Sequence, residues 1–296
     1  MKIVSGPASK ELAEKISALT TYQNVPVVSK IFPDGESYVR LDGSVQGEDV
    51  AVVQTTCPPA QDGRLLQLAF MADAAKRSGA GRVTAVVPYL AYARQDKMFL
   101  SGEGISVETI ARMLSAAGVD ELLTVNLHSE NALSKFPFPA KTVSAISLLA
   151  NYFVEKGYNK AYALSPDKGA MYIAYEAQQV LGGSAGHLEK QRDRYTGQTT
   201  QTGKGLDVKG QTVIIFDDII STGGTIVGAA KILHELGAAH VFTACVHPLL
   251  IGDAAKRILD AGVEEIVGTD SVPGDYSKVS LAPLISKQLK GAKQGA

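Results

Sequence analysis

Residues 214–226 read IIFDDIISTGGTI, an apolar run that ends in two adjacent carboxylates and then a small, glycine-containing loop. Ser221, Thr222 and Thr225 supply hydroxyl donors, while Gly223 and Gly224 let backbone N–H groups approach a ligand closely. If Thr212–Phe216 is a strand and a helix begins at Ile226, residues 217–225 are the turn between them. A helix N-terminus offers unpartnered N–H groups and a partial positive charge, which suits phosphate. Asp217 and Asp218 repel phosphate, but they accept hydrogen bonds from vicinal hydroxyls or hold a metal. A ligand with both kinds of group, such as ribose 5-phosphate, resolves the conflict. A capped strand-to-helix turn without a ligand is the plainer alternative.

Four further stretches carry usable chemistry. In FPDGESYVRL (32–41), Phe32 could stack on a purine while Asp34 or Glu36 accepts from its exocyclic amine. In VVPYLAYARQDK (86–97), Arg94 can grip a polyphosphate through paired N–H bonds, although RQDK also suits a solvated charge cluster. His128 in VNLHSE (125–130) and Asp167 in SPDKGA (165–170) each follow an apolar strand; together they could share a divalent cation with phosphate oxygens. EKQRDR (189–194) opens a long polar stretch, where cations on a mobile loop could stabilise transition-state charge. His187, His234, His240 and His247 read as structural.

Short apolar runs alternate with helical periodicity along the chain. Candidate strands are Val50–Val53, Arg82–Val87, Glu121–Val125, Lys160–Leu164, Thr212–Phe216 and His240–Val246. Between them, Val107, Ile110, Ala111 and Leu114 keep the spacing of a one-faced helix, repeated by Ile226, Ala229, Ala230 and Leu233. That rhythm predicts parallel βαβ units in an α/β protein, with ligands at the carboxyl ends of strands. Pro137 and Pro139 mark a boundary within 135–145, giving domains over 1–142 and 143–296. Glu189–Gly210 reads as one irregular segment.

The 29 basic and 30 acidic residues leave a net charge of −1, so nothing draws nucleic acid or an anionic membrane, and phosphate binding must be local. Cys57 and Cys245 lack metal-ligand spacing and read as buried thiols in a reducing compartment. No signal-peptide pattern or apolar run of membrane-spanning length is present, which predicts a cytoplasmic protein.

FDDIISTGGT resembles the phosphoribosyl-diphosphate loop shared by phosphoribosyltransferases and ribose-phosphate pyrophosphokinases. The other four motifs resemble the pyrophosphokinase series in its order, over about residues 1–285, with archaeal-type members most alike. The resemblance implies two stacked phosphoribosyltransferase-like domains, each a mainly parallel sheet flanked by helices. It implies transfer of a diphosphoryl group from ATP to ribose 5-phosphate with Mg²⁺. Phe32, Asp34, Glu36, Arg94, Gln95 and Asp96 would then bind ATP, with the Phe32 motif often serving a neighbour's active site. Asp217, Asp218 and Ser221–Thr225 would bind ribose 5-phosphate, His128 and Asp167 the metal, and Lys190 and Arg192 would be the catalytic basic pair. A homodimer or an assembly of dimers follows. Two departures stand out: Asn126 where the family commonly has Asp, and Ala170 where it commonly has Gly. A phosphoribosyltransferase and a non-catalytic regulatory relative are the alternatives.

Overall fold

The computed structural model describes residues 1–192 and 199–291, with the side chains of residues 130, 190–192 and 199–201 outside that description. The chain divides into two compact units. One comprises residues 1–143 and the chain from Ser280 onward; the other comprises Ser144–Val279. Each is described by itself.

In the first unit, β1 (Lys2–Ser5), β2 (Gln23–Ile31), β3 (Ser37–Leu41), β4 (Val50–Val53), β5 (Val83–Val87), β6 (Glu121–Val125) and β7 (Ala140–Val143) form one seven-stranded sheet. Its order is β3-β2-β1-β4-β5-β6-β7, and every pairing is parallel except the β2–β3 hairpin. Every residue of β4 (VAVV) and β5 (VTAVV) is buried, as a parallel strand covered on both faces requires. The covering helices are α1 (Lys10–Thr20), α2 (Gln61–Arg77) and α3 (Ser106–Ala116). The residues that α3 buries are Val107, Ile110, Ala111 and Leu114, the stripe expected from the spacing.

The second unit begins with α4 (Ile146–Glu155) and β8 (Tyr162–Ser165), continues through α5 (Met171–Leu181) and β9 (Ala185–His187), and then forms an antiparallel ribbon. That ribbon is β10 (Glu189–Arg192) against β11 (Thr199–Thr202), so the stretch expected to be irregular contains two paired strands. Polar strand residues such as Thr and Gln pair by ladder bonds, with no apolar alternation to announce them. β12 (Thr212–Ile220), α6 (Gly224–Glu235), β13 (His240–Pro248), α7 (Ala254–Asp260), β14 (Ile266–Thr269) and β15 (Ser277–Val279) complete a parallel sheet. Its order is β15-β14-β13-β12-β8-β9. α6 buries Ile226, Ala229, Ala230 and Leu233, again the predicted stripe.

The last helix, α8 (Ala282–Gly291), belongs to the first unit and packs against α1; Lys290 Nζ donates to the Leu19 carbonyl at 2.8 Å. Cys57 and Cys245 are both buried and reduced. Among the described residues no helix is long and apolar enough to cross a membrane.

Candidate active site

Strand β12 does not stop at Phe216. It runs through both carboxylates to Ile220 because the ladder with β13 continues: Asp217 pairs with Cys245, Ile219 with His247 and Ile220 with Pro248. The turn is therefore only Ser221–Gly223, shorter than the expected 217–225, and the two acids sit on a rigid strand end. Their side chains turn back on the backbone. Asp217 Oδ1 accepts from the Asp218 N–H at 2.9 Å, and Asp218 Oδ1 from the Ile219 N–H at 2.8 Å. Burial and then the charge of Asp218 hold the Asp217 carboxyl well above the usual carboxylate range, with Asp167 adding to the same push.

Past the strand, Gly223 adopts φ +77° and helix α6 starts at Gly224 without a side-chain cap. A Cβ at Gly223 would lie 3.0 Å from Ile258 Cδ1, so both backbone and space favour glycine there. The first N–H groups of α6 have no intrahelical partner, and Thr222 and Gly224 are exposed beside them. This end of the sheet is also where the strand order reverses, between β8 and β12. Asp167, just past β8, uses Oδ1 to accept from the Gly169 and Ala170 N–H groups at 3.0 and 3.2 Å. Ala170 thus keeps the capping bond that its backbone supplies.

Lys190 and Arg192 lie in β10, their backbones opposite Gln201 and Thr199. Asp193 and Arg194 of the same motif lie outside the described residues.

In the first unit, FPDGE is the turn of the β2–β3 hairpin: the Phe32 N–H donates to the Glu36 carbonyl at 2.8 Å, and Asp34 Oδ1 accepts from the Glu36 N–H at 3.1 Å. Phe32, Asp34 and Glu36 are exposed. Lys30 Nζ sits 4.3 Å from the centre of the Phe32 ring, which meets Tyr38 edge-on at 6.1 Å. An exposed aromatic ring on a hairpin tip can also serve as a purine platform.

The loop after β5 is pinned by residues that sequence reasoning passed over. Buried Thr56 donates Oγ1–H to the Tyr89 carbonyl at 2.8 Å and accepts from the Ala91 N–H at 2.8 Å. Tyr92, at φ +67°, donates its hydroxyl to Asp62 on α2, a bond that raises the Tyr92 pKa. Ser106 Oγ donates to Gln95 Oε1 at 2.8 Å, and Ser129 Oγ to Asp96 Oδ2 at 2.6 Å. The last bond ties the RQDK loop to the residue after His128, so Asp96 and the His128 loop meet in one unit. Arg94 and His128 are exposed. Asn126, at φ +37°, occupies a left-handed position that Asn tolerates well, which gives that departure a conformational basis. Thr56, Ser106 and Ser129 are ordinary hydroxyl residues in sequence; no spacing marks them.

Three of the other four histidines have structural partners. His247 is buried and bonded to Ser271 Oγ at 2.8 Å, His240 pairs with Glu264 at 2.8 Å, and His234 meets the Gly262 carbonyl at 3.1 Å. Among the described residues, no three metal-ligating side chains cluster.

Residues 1–118 match the family described as the N-terminal domain of ribose phosphate pyrophosphokinase, and residues 200–287 match the phosphoribosyl synthetase-associated domain. A ribose-phosphate pyrophosphokinase of Methanothermobacter thermautotrophicus is 43% identical over 97% of this chain and 99% of its own length. One from Saccharolobus solfataricus is 40% identical over 92% of this chain and 93% of its own. The crystal structure of phosphoribosylpyrophosphate synthetase from Mycobacterium smegmatis superposes with a TM-score of 0.87 at 32% identity, covering 100% of this chain and 99% of that one.

Proposed function

The chain belongs to the ribose-phosphate pyrophosphokinase family, and on that premise we propose how its residues divide the work. The reaction transfers the diphosphoryl group of ATP to O1 of ribose 5-phosphate, giving AMP and 5-phosphoribosyl 1-diphosphate. O1 bonds to the β-phosphorus, its proton is lost, and the bond from that phosphorus to the α,β-bridging oxygen breaks as AMP leaves. Such transfers need little covalent help, so positioning and charge stabilisation supply most of the effect.

The observation that carries the assignment is the end of β12, where two carboxylates precede an exposed, uncapped helix N-terminus. Ser221, Thr222, Gly223, Gly224 and Thr225 hold the 5-phosphate, and Asp217 and Asp218 orient the ribose hydroxyls. Lys190 and Arg192 stabilise the transferring phosphoryl groups. Phe32, Asp34 and Glu36 receive the purine, while Arg94 grips the polyphosphate and Gln95 and Asp96 complete the ATP site. The bonds from Ser106 to Gln95 and from Ser129 to Asp96 support that last role by fixing those side chains.

The donor set fits Mg²⁺. Asp167 and the Asp217–Asp218 pair are hard oxygen ligands; burial first, and then the Asp218 charge, raise the Asp217 pKa, and a cation would relieve the second. His128 and Asp167 would each offer Mg²⁺ a ligand, and the cation would draw charge from the phosphate oxygens of ATP. The protein works in the cytoplasm as a homodimer or an assembly of dimers. The exposed hairpin tip bearing Phe32 supports a subunit boundary near the active site.

The direct test is AMP release from ATP and Mg²⁺, with and without ribose 5-phosphate. The expected outcome is sugar-dependent AMP matched by phosphoribosyl diphosphate. ADP would mean single-phosphoryl transfer at the same site. Turnover of phosphoribosyl diphosphate with a nucleobase and no ATP would instead mark a phosphoribosyltransferase, and a protein that released no AMP but altered an active relative would be regulatory.

A further inference from the structure

The loop assigned to the 5-phosphate is held from behind by residues 250–257. Three successive carbonyls leading into it each accept a hydrogen bond from that segment. The Leu250 N–H donates to the Ile220 carbonyl and the Ile251 N–H to the Ser221 carbonyl, both at 3.0 Å. These two bonds carry the β12–β13 association past its last paired residues, Ile220 and Pro248. The third is of another kind: the Arg257 guanidinium on α7 donates through Nη2 to the Thr222 carbonyl.

Arg257 also pairs with Asp253 on its own helix, its Nε lying 3.0 Å from Oδ1. The same helix face supports the turn beneath. Ala254 and Ile258 are fully buried, and a Cβ placed on Gly223 would lie 3.4 Å from the first and 3.0 Å from the second. Ala254, Arg257 and Ile258 have the i, i+3, i+4 spacing of one helical face.

A phosphate cradle must present N–H groups and keep carbonyl oxygens away, since a carbonyl dipole turned toward an anion repels it. Engaging the 220, 221 and 222 carbonyls from one side meets that condition. The first two need only backbone, whereas the third depends on one side chain. We propose that Arg257 is a positioning residue for the sugar-phosphate loop. By holding the Thr222 carbonyl, it keeps the adjoining N–H groups at the start of α6 directed at the 5-phosphate. This rests on the reading of residues 221–225 as the 5-phosphate cradle. With its side chain 45% exposed, Arg257 can be replaced without opening the core.

The test is steady-state kinetics of the full chain carrying Arg257→Gln, Arg257→Lys or Thr225→Val. Arg257→Gln is expected to raise KM for ribose 5-phosphate roughly tenfold, equivalent to about 1.4 kcal/mol. KM for ATP, kcat at saturating sugar and the melting temperature should stay near wild type. Arg257→Lys, which keeps the charge and one donor, should recover part of the loss. A parallel rise in both KM values, or no rise for ribose 5-phosphate, would overturn the proposal. Thr225→Val separates the two levels. If it raises KM for ribose 5-phosphate while Arg257→Gln does not, the cradle stands and the role of Arg257 falls. If neither does, the cradle falls and the proposal with it.

Discussion

Each sheet has a point where successive strands step to opposite sides, and the two units treat that point differently. In the second unit it lies between β8 and β12, and Asp167, Asp217, Asp218 and the Ser221–Thr225 turn all gather at its carboxyl end. In the first it lies between β1 and β4, and the chain's own groups seal it. The Gly6 N–H donates to the Val53 carbonyl at 2.9 Å, Gln54 Oε1 accepts from the Ala8 N–H at 3.0 Å, and Ser9 Oγ accepts from the Thr55 N–H at 2.8 Å. Gln54 and Thr55 are wholly buried. A Cβ on Gly6 would lie 2.3 Å from Gln54 Oε1, so nothing larger fits. The groups assigned to the nucleotide are displaced to an exposed hairpin tip and to loops after β5 and β6. One unit thus gathers its assigned groups at the end of a central strand; the other carries them on a hairpin tip and on loops.

Substitutions can break or sharpen this contrast. The largest effect is expected from Lys190→Ala, which should cut kcat by about a hundredfold while ribose 5-phosphate still binds. Near-normal turnover would remove Lys190 from the chemistry.

Asp218→Asn should come next. Losing a charged acceptor for sugar hydroxyls should raise KM for ribose 5-phosphate by roughly tenfold or more. The same change should help the ligand-free fold. The Asp217 pKa is raised in the fold, so its contribution to stability is complete below its ordinary value of 3.8 and is lost as pH climbs toward the folded value. In chelator, melting temperatures of the wild type should therefore fall as pH rises above that ordinary value, and those of Asp218→Asn should fall less. Equal slopes would mean that the two carboxyls are not coupled.

Gln54→Ala tests the sealed point. It leaves the half-buried Ala8 N–H without its acceptor, a loss of about 1 kcal/mol visible in denaturant melts. KM for ribose 5-phosphate should not move, because the sugar is assigned to the other unit. If it rose, the two units would not divide the substrates as assigned.

Smallest of all should be Phe32→Leu. Removing the ring forfeits stacking worth about 0.5–1.5 kcal/mol, a several-fold rise in KM for ATP alone. An unchanged value would detach the hairpin tip from the nucleotide.

Much of the framework was legible in sequence because it rests on local repetition. VAVV and ELLTV are strands β4 and β6, and the stripes of α3 and α6 fall on the residues expected from spacing. The loop assigned to the sugar phosphate stood out in sequence for a related reason: its chemistry is concentrated in nine consecutive residues. What escaped depends on distant partners. Two acids look like the end of a strand, and only the ladder to β13 carries β12 through them. β2 holds Pro26 and exposes both faces near its end, so no alternation marks it as a strand. The bond from Ser129 to Asp96 spans 33 residues and that from Arg257 to Thr222 spans 35, distances over which residue type predicts no contact.

The return of α8 to the first unit makes the order of synthesis differ from the order of completion. The second unit, to which the sugar is assigned, is whole once Val279 has left the ribosome, because all its elements lie in one continuous stretch. The first unit emerges earlier, yet lacks the helix that covers α1 until Gly291 has been made. Domains commonly fold as units, the N-terminal one first. Here the nascent first unit must keep the face of α1 that α8 will cover exposed while the second is translated. A chaperone acting on this chain would meet that face for the whole interval, and a stall before α8 would release a protein with an intact sugar site and an unfinished nucleotide half.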